Sequence, residues 1–248
     1  MTTAIVLAGG LGTRLREAVP DVPKPMAPIE GRPFLEYQID YWLGQGVSRF
    51  ILSVGYRAEV IMEHFGNTYR NVRIDYAVES SPLGTGGGLL LAAAQLGEDA
   101  PFLLLNGDTF FEVDLASLQA FHSAHHAGWT FSLFRADEAG RYMGLDVRAD
   151  GSIRSLRAGK GDSGKGDSGK GDSGKGEIGA LANGGVYLVE PGPLAMAGHS
   201  AGDKVSLEDE LLPAFEASGG TLFAMECQGK FIDIGVPADY HRAAAFLA

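Results

Sequence analysis

The chain has 248 residues, of which 45% are hydrophobic, and a formal net charge of −11. This length and apolar content suffice for one α/β core, so we expect residues 1–248 to form a single domain. The acidic balance argues against nucleic acid and membrane surfaces as partners, because both require a basic patch. The one cysteine, Cys227, cannot form an intrachain disulfide, and no segment approaches the roughly 20 apolar residues of a membrane span. We therefore expect a soluble, cytoplasmic protein without a membrane or nucleic-acid partner.

The first predicted strand leads directly into a glycine-rich loop, LAGGLGTRL at 7–15. Its three glycines let the backbone turn sharply and approach a ligand closely. Arg14 in this loop and Lys24 shortly after it place two cations around the same backbone. A polyphosphate suits this set, because exposed N–H groups and a guanidinium can share its negative charges. The spacing matches neither a Walker A loop nor the dinucleotide motif G-x-G-x-x-G.

The first third of the chain alternates predicted strands and helices. After the loop we predict a helix from Pro33 to Gly44, a strand over 49–54, a helix over 57–65 and a strand over 72–78. This βαβαβ alternation is typical of a parallel sheet with helices on both faces, which binds ligands at the carboxyl ends of its strands. We therefore expect an α/β, Rossmann-like fold with a mixed, mostly parallel central sheet.

A second glycine-rich stretch, ESSPLGTGGG at 79–88, follows the third predicted strand. Glu79 therefore stands at the same sheet edge as the first loop. The glycines allow another close approach of the backbone before a helix predicted over 86–96. A turn with a solvated glutamate is the alternative that this stretch leaves open by itself.

Two aspartates follow predicted strands that lie far apart in the sequence. An apolar strand over 101–105 runs into the NGD at 106–108, and a late strand, FIDIG at 231–235, delivers Asp233. A rigidly placed carboxylate on an apolar floor suits a metal site, whereas a residue that caps a turn is the structural alternative for Asp108. The two carboxylates can converge only if the sheet brings them together.

The middle of the chain combines short strands with an unusual repeat. Strands are predicted over 129–135, 143–148 and 152–157, and KGDSG then repeats from Lys160 in a segment at 159–176. With no apolar residue, this segment cannot bury enough surface to order itself. We therefore expect it to be a flexible surface loop.

Polar residues on two later helices have structural interpretations. His122, His125 and His126 invite comparison with metal ligands, but they lack partner carboxylates, so we expect an ordinary polar helix face. Ser206 is predicted to cap a helix, with Asp209 three residues later in a near capping box.

The sequence GGLGTRL in the first loop, followed by PKP, resembles the signature of the sugar-1-phosphate nucleotidyltransferases, and the later motifs occur in that family's order. The resemblance implies a single-step reaction, in which a sugar 1-phosphate oxygen attacks the α-phosphorus of a nucleoside triphosphate and pyrophosphate leaves. It implies Mg²⁺ as the cofactor, held by Asp108 and Asp233. It also implies that Arg14 binds the β- and γ-phosphates and that Lys24 binds the α-phosphate and the sugar phosphate.

The same resemblance implies further binding residues. Those expected to bind the nucleotide are Leu7, Ala8, Gly9, Gly10, Gly12, Thr13, Glu79, Gly84, Thr85 and Asn106. Those expected to bind the sugar phosphate are Gly144, Lys160, Asn183 and Glu208. Relatives usually have a Glu-Lys pair where this chain has RAGK at 157–160, so Arg157 competes with Lys160 for the sugar phosphate.

Glu79 bears on the choice of nucleotide, because in the family its segment lies against the base. A carboxylate only accepts hydrogen bonds, and guanine is the base that offers two adjacent donors. A paired base edge of this kind discriminates by about 1–3 kcal/mol, which favours GTP over pyrimidine nucleotides.

Within the family, the motifs are most similar to those of guanylyltransferases of D-glycero-α-D-manno-heptose 1-phosphate, with mannose 1-phosphate or another sugar phosphate as the alternative substrate. The implied function is transfer of GMP from GTP to a sugar 1-phosphate, for cell-envelope glycan synthesis. The heptose and mannose phosphates differ by one exocyclic carbon, which a pocket distinguishes by only about 1–3 kcal/mol. A non-catalytic, nucleotide-sugar-binding regulatory subunit is the alternative from a different class. The sequence does not fix the oligomeric state, and a homo-oligomer stays open.

Overall fold

A computed structural model describes the chain at residues 2–10, 12, 15, 19–97, 100–136, 142–157 and 180–247, with the backbone alone described at 155–157. The repeat segment at 159–176 lies outside these residues, as do Thr13, Arg14 and Lys160. The strands are β1 (Thr2–Leu7), β2 (Pro28–Ile29), β3 (Arg32–Pro33), β4 (Val47–Val54), β5 (Thr68–Tyr69), β6 (Val72–Val78), β7 (Phe102–Asn106), β8 (Thr109–Phe111), β9 (Trp129–Arg135), β10 (Gly144–Val147), β11 (Ile153–Arg157), β12 (Leu181–Val189), β13 (Leu222–Glu226) and β14 (Phe231–Asp233). The helices are α1 (Phe34–Gly44), α2 (Ala58–Phe65), α3 (Gly84–Ala93), α4 (Leu115–Ala124), α5 (Pro191–Ala195), α6 (Leu212–Ala217) and α7 (Pro237–Leu247), with a 3-10 turn at Lys24–Met26 and a π-helical turn at Leu207–Leu211.

Within the described residues, the central sheet has ten strands in the order β11-β10-β12-β7-β1-β4-β6-β5, with β9 paired to β12 and β13. The neighbours β7, β1, β4 and β6 are parallel, whereas β12 is antiparallel to both β7 and β9. The prediction of a mixed, mostly parallel sheet is confirmed, and the first third of the chain forms the predicted βαβαβ unit.

The apolar residues of each central strand alternate between two cores on opposite faces of the sheet. On β1, Ala4 and Val6 belong to the core that α1, α2 and α4 cover, while Ile5 belongs to the core that α3, α5 and α6 cover. A smaller cluster packs α7 against Phe34 and Ile232. Because helices cover both faces, strands such as β7 are apolar along nearly their whole length, up to the terminal Asn106.

The parallel strands end side by side at one edge of the sheet. Leu7, the last residue of β1, pairs with Ser53 of β4 and with Asn106 of β7. The first glycine-rich loop, the turn that carries Asp108, and Glu79 all follow strands at this edge. The fold therefore assembles three of the predicted binding segments at the carboxyl end of the sheet.

The observed elements differ from the predicted ones mainly where glycine or an unusual helical turn occurs. α3 begins at Gly84 rather than near 86. Ser206 accepts a hydrogen bond from Asp209 N at 3.1 Å as predicted, but Glu210, not Asp209, accepts from Ser206 N at 2.8 Å. The π-helical turn has more residues than an α-turn, which shifts the reciprocal carboxylate by one position.

None of the helices that the structure describes is both long enough and apolar enough to cross a membrane.

Candidate active site

A cation and two carboxylates meet at the carboxyl edge of the sheet. Lys24 Nζ lies 2.5 Å from Asp108 Oδ2 and 3.9 Å from Asp233 Oδ1. The side chains of Lys24, Asp108 and Asp233 are 14%, 37% and 25% exposed. The lysine is therefore largely shielded from water, whereas the partly exposed carboxylates remain screened by it.

The two aspartates are brought together by a two-stranded ribbon beside the central sheet. β8 and β14 pair in antiparallel fashion, which places Asp233 opposite Thr109, the residue after Asp108. Ile234 N donates to Asp108 O at 3.0 Å, and Gly235 N donates to Asp233 Oδ1 at 2.6 Å. The expected convergence of the two carboxylates is therefore present, but it depends on this ribbon rather than on the central sheet.

The described part of the first loop supplies backbone at the same edge. Ala8 N donates to Ser53 O at 2.8 Å, which continues the β1 ladder beyond Leu7. Gly10 is exposed, and a Cβ built there would meet no described atom within 4 Å. Gly12 packs beside the Lys24 side chain. The described part of the loop thus contacts the lysine at Gly12 and places exposed backbone at Gly10.

Glu79 packs against the first loop at Gly9. Its Oε1 accepts from Ser53 Oγ at 3.2 Å, and its Oε2 accepts from Leu83 N at 3.0 Å. A Cβ at Gly9 would collide with Glu79 Oε1, so a larger residue there would displace the carboxylate. Each carboxylate oxygen thus has one hydrogen-bond donor among the described residues and has the capacity to accept another.

The second glycine-rich stretch contacts the segment that carries Glu208. Thr85 Oγ1 donates to Glu208 Oε2 at 3.3 Å and accepts from Leu207 N at 3.0 Å. Gly84 has a φ of +76°, and a Cβ there would lie 2.7 Å from Val205 O. Burial raises the pKa of Glu208 above that of a free glutamate. A nucleotide candidate and a sugar candidate are thus directly linked.

Asn183 is oriented by its own strand. Its Nδ2 donates to Tyr187 Oη at 2.7 Å, and its Oδ1 accepts from Gly185 N at 3.1 Å. Tyr187 is fully buried, and this burial together with the nearby Glu208 raises the pKa of its hydroxyl. Asn106 lies close by, because a Cβ at Gly185 would be 2.8 Å from its Nδ2.

Gly144 lies beside these residues on β10. It pairs with Ala182 of β12 on one side and with Arg157 of β11 on the other. The backbone of Arg157 therefore reaches the candidate sugar region, although its side chain lies outside the description. Thr13, Arg14 and Lys160 are not placed either.

Sequence reasoning missed Ser53 and Tyr187, which contact the predicted site residues Glu79 and Asn183. Both lie within apolar strands and are almost completely buried, so their strands indicated only core. A polar atom within such a run was the available signal, because buried polar groups need partners.

The donor set suits a hard divalent cation. Among the described residues, no group of three or more His, Cys, Asp or Glu side chains is arranged to hold a metal ion. Mg²⁺ in phosphoryl-transfer sites is often held by one or two carboxylates, with the remaining ligands supplied by phosphates and water. Asp108 and Asp233 offer two such carboxylates, and they already converge on the Lys24 ammonium. The residues present therefore fit a magnesium ion that binds together with a nucleotide.

Comparison with known proteins gives consistent matches along the whole chain. The sequence profile of the family described as "Nucleotidyl transferase" matches residues 3–248. The chain is 37% identical over 240 residues to D-glycero-alpha-D-manno-heptose 1-phosphate guanylyltransferase of Aneurinibacillus thermoaerophilus, covering 97% of this chain and 96% of that protein. It is 32% identical to mannose-1-phosphate guanyltransferase of Schizosaccharomyces pombe over 96% of this chain, but it spans only 62% of that protein.

The crystal structure of HddC from Yersinia pseudotuberculosis complexed with GMP-PN superposes with a TM-score of 0.80 at 33% identity, and all of both chains is covered.

Proposed function

The chain belongs to the nucleotidyl transferase family, and on this premise we propose that it transfers GMP from GTP to a sugar 1-phosphate, with release of pyrophosphate. The observation that carries the proposal is the convergence of Lys24, Asp108 and Asp233 beside the glycine-rich loop, whose Gly12 packs against Lys24. Similarity over nearly full length to a heptose 1-phosphate guanylyltransferase supports GTP and a sugar 1-phosphate as the substrates.

The proposed chemistry is a direct displacement at phosphorus. An oxygen of the sugar phosphate forms a bond to the α-phosphorus of GTP, the bond from that phosphorus to the β-phosphate bridging oxygen breaks, and pyrophosphate leaves with the electron pair. No covalent enzyme intermediate is needed, so the protein contributes orientation and charge neutralisation.

Four charged residues act on the phosphates in this scheme. Asp108 and Asp233 would hold Mg²⁺, which when bound neutralises charge on the reacting phosphates. Lys24 places its ammonium between the sugar phosphate and the α-phosphate, where negative charge accumulates during attack. We assign Arg14, which the structure does not describe, to the β- and γ-phosphates of GTP.

We propose that Glu79 reads the base. Its two hydrogen bonds, from Ser53 Oγ and Leu83 N, fix the carboxylate beside the first glycine-rich loop. The remaining acceptor positions suit the N1–H and 2-amino donors of guanine, whereas a pyrimidine offers a single donor on that edge.

We propose a heptose 1-phosphate as the sugar substrate, bound by Gly144, Asn183 and Glu208 with either Lys160 or Arg157 at its phosphate. One observation favours heptose over mannose. The chain covers 96% of the heptose relative but only 62% of the mannose relative, so the heptose enzyme matches it in length as well as in sequence.

A pyrophosphate-release matrix tests this proposal. GTP, ATP, UTP and dTTP are each combined with heptose, mannose and glucose 1-phosphates, with and without Mg²⁺. We expect release above background with GTP and the heptose phosphate, and only when Mg²⁺ is present. A nucleotide-sugar-binding regulatory subunit would show a GTP-dependent rise in melting temperature but no pyrophosphate in any combination.

A further inference from the structure

Gln38 on α1 is a buried polar residue that the proposed chemistry does not use. Only 2% of it is exposed, although it lies among the apolar residues that α1 presents to the sheet. Its Nε2 donates two hydrogen bonds, to Asn106 O at 2.8 Å and to Thr109 O at 2.8 Å. One side-chain amide therefore holds two backbone carbonyls that belong to the same turn.

These two carbonyls flank Asp108, one of the proposed metal ligands. The turn is also held on its other sides, because Gly107 N donates to Leu7 O at 3.0 Å and Ile234 N donates to Asp108 O at 3.0 Å. The main chain on both sides of the aspartate is thus tied to α1, to β1 and to the segment after β14. Since the carboxylate is only one bond from Cβ, these ties determine where it can reach.

α1 is also connected to the segment that carries Lys24, the positively charged residue of the site. Phe34 N, at the start of the helix, donates to Ala27 O at 3.0 Å, and Ala27 N donates to Lys24 O at 3.0 Å. Hydrogen bonds to the same helix therefore fix the position of the Lys24 turn and, through Gln38, the position of the Asp108 turn. The 2.5 Å contact between Lys24 Nζ and Asp108 Oδ2 joins these two turns.

The amide of Gln38 is costly to bury. Its Oε1 is buried and has no hydrogen-bond partner among the described residues. The orientation of the amide is fixed, because two carbonyl partners require the NH₂ group to face them. An apolar side chain of similar size would fill the same space without an unpaired acceptor. Compared with such an apolar side chain, the amide adds only its two hydrogen bonds to the Asp108 turn.

Resting on the proposed function, we infer that Gln38 is a positioning residue, which holds the turn so that Asp108 meets the metal ion opposite Asp233. It touches neither substrate nor metal and acts through the backbone of Asn106 and Thr109. This inference predicts that loss of the two donors affects metal binding and the chemical step, while binding of the nucleotide by the loop is preserved.

The variant Gln38→Met tests this, because it keeps the length of the side chain and removes both donors. Gln45→Met is the matched control. Gln45 lies at the end of the same helix, and its Oε1 accepts from Leu115 N at 3.1 Å, away from the Asp108 turn. For both variants we would measure kcat, KM for GTP and melting temperature. Affinity for Mn²⁺ in the presence of GTP would be measured by electron paramagnetic resonance.

For Gln38→Met we expect kcat and Mn²⁺ affinity to fall roughly 10- to 100-fold, the range found when residues that orient metal ligands are replaced. KM for GTP should change little. Gln45→Met should lower the melting temperature without changing kcat or Mn²⁺ affinity. If Gln38→Met behaves like Gln45→Met in these measurements, Gln38 is only structural and the inference is wrong.

A second variant covers the case in which Gln38→Met does not fold. Gln38→Glu keeps the shape of the side chain but replaces the amide donors by a carboxyl group. We expect the same losses of kcat and Mn²⁺ affinity, and wild-type values of both would overturn the inference. If the wild-type protein itself releases no pyrophosphate, the proposed function fails. The Mn²⁺ comparison then still decides whether Gln38 positions the carboxylate.

Discussion

Replacing Lys24 by methionine removes the positive charge on which both carboxylates converge. Lys24→Met keeps a side chain of similar length, so it deletes the ammonium and little volume. The ammonium lies 2.5 Å from Asp108 Oδ2 and 3.9 Å from Asp233 Oδ1, with 14% of the lysine side chain exposed. Opposite unit charges 4 Å apart attract by about 4 kcal/mol near a protein surface and by about 1 kcal/mol in water.

In the reaction the same ammonium would face phosphate charge that grows as the bond forms. Loss of one preorganised donor to a developing charge costs about 3–4 kcal/mol, so we expect kcat to fall roughly 10²- to 10³-fold. Stability should change far less. Asp108 is 37% exposed, which weakens the pair in the free protein. We expect a loss of about 1–2 kcal/mol. For a chain of this size, that corresponds to a fall of roughly 2–8 °C in melting temperature.

The assay is steady-state pyrophosphate release by folded protein, with the melting temperature measured on the same preparation. Lys230→Met is the control, because that lysine is exposed and its ammonium lies 5.9 Å from the Phe246 ring, away from Asp108 and Asp233. The control should retain wild-type kcat. Folded Lys24→Met with kcat within threefold of the wild type would refute the role assigned to the ammonium.

Glu79→Gln should lower the preference for GTP over UTP in kcat/KM by roughly 5- to 150-fold, because an amide presents a donor as well as an acceptor to the base. Gly84→Ala should lower stability by about 1–3 kcal/mol, measured by urea unfolding, because φ is +76° and the new Cβ would lie 2.7 Å from Val205 O. Glu208→Gln should raise the melting temperature at pH 8 but not at pH 4. Burial raises the folded-state pKa of Glu208, so ionisation costs stability only above its unfolded pKa. Burial also raises the pKa of the Cys227 thiol to about 11, so it should react slowly with a disulfide reagent at pH 7 until urea unfolds the chain.

Each of these expectations has a control or a contradicting result. Glu59→Gln, on an exposed glutamate of α2, should leave the base preference unchanged, and an unchanged preference in Glu79→Gln would contradict the base-reading role. Gly44→Ala, where a Cβ meets no described atom within 4 Å, should not destabilise the protein. A melting-temperature gain in Glu208→Gln that is equal at both pH values would exclude ionisation as its cause. Rapid thiol modification of the folded protein would contradict a protonated Cys227.

Much of the fold could be predicted because its strands are buried on both faces. Apolar runs such as the one ending at Asn106 mark the strands, and the glycines after Leu7 mark where the first strand must end. The alternation of strands and helices predicts that the segments after the strands meet at the carboxyl edge of the sheet. The proximity of Lys24 and Asp108 could therefore be predicted from the sequence.

The contacts that complete the site could not be predicted, because they depend on pairings between distant segments. Nothing local to Asp233 indicates that β14 pairs with β8 in a separate ribbon. The expected polar helix face was also wrong for His122. This residue is 3% exposed and lies between Thr130 Oγ1 at 2.8 Å and Glu190 Oε1 at 3.3 Å. Its partner carboxylate, Glu190, follows β12 and lies 68 residues further along the chain, so the residue spacing within α4 cannot indicate it.

The central claim, guanylyl transfer to a sugar 1-phosphate, is tested most directly by identifying the product. The wild-type protein would be incubated with Mg²⁺, GTP and D-glycero-α-D-manno-heptose 1-phosphate, and the mixture analysed by mass spectrometry together with pyrophosphate release. The account predicts a GDP-heptose and an equal amount of pyrophosphate. A product formed only from UTP or dTTP, or GTP binding without any GDP-sugar, would contradict it.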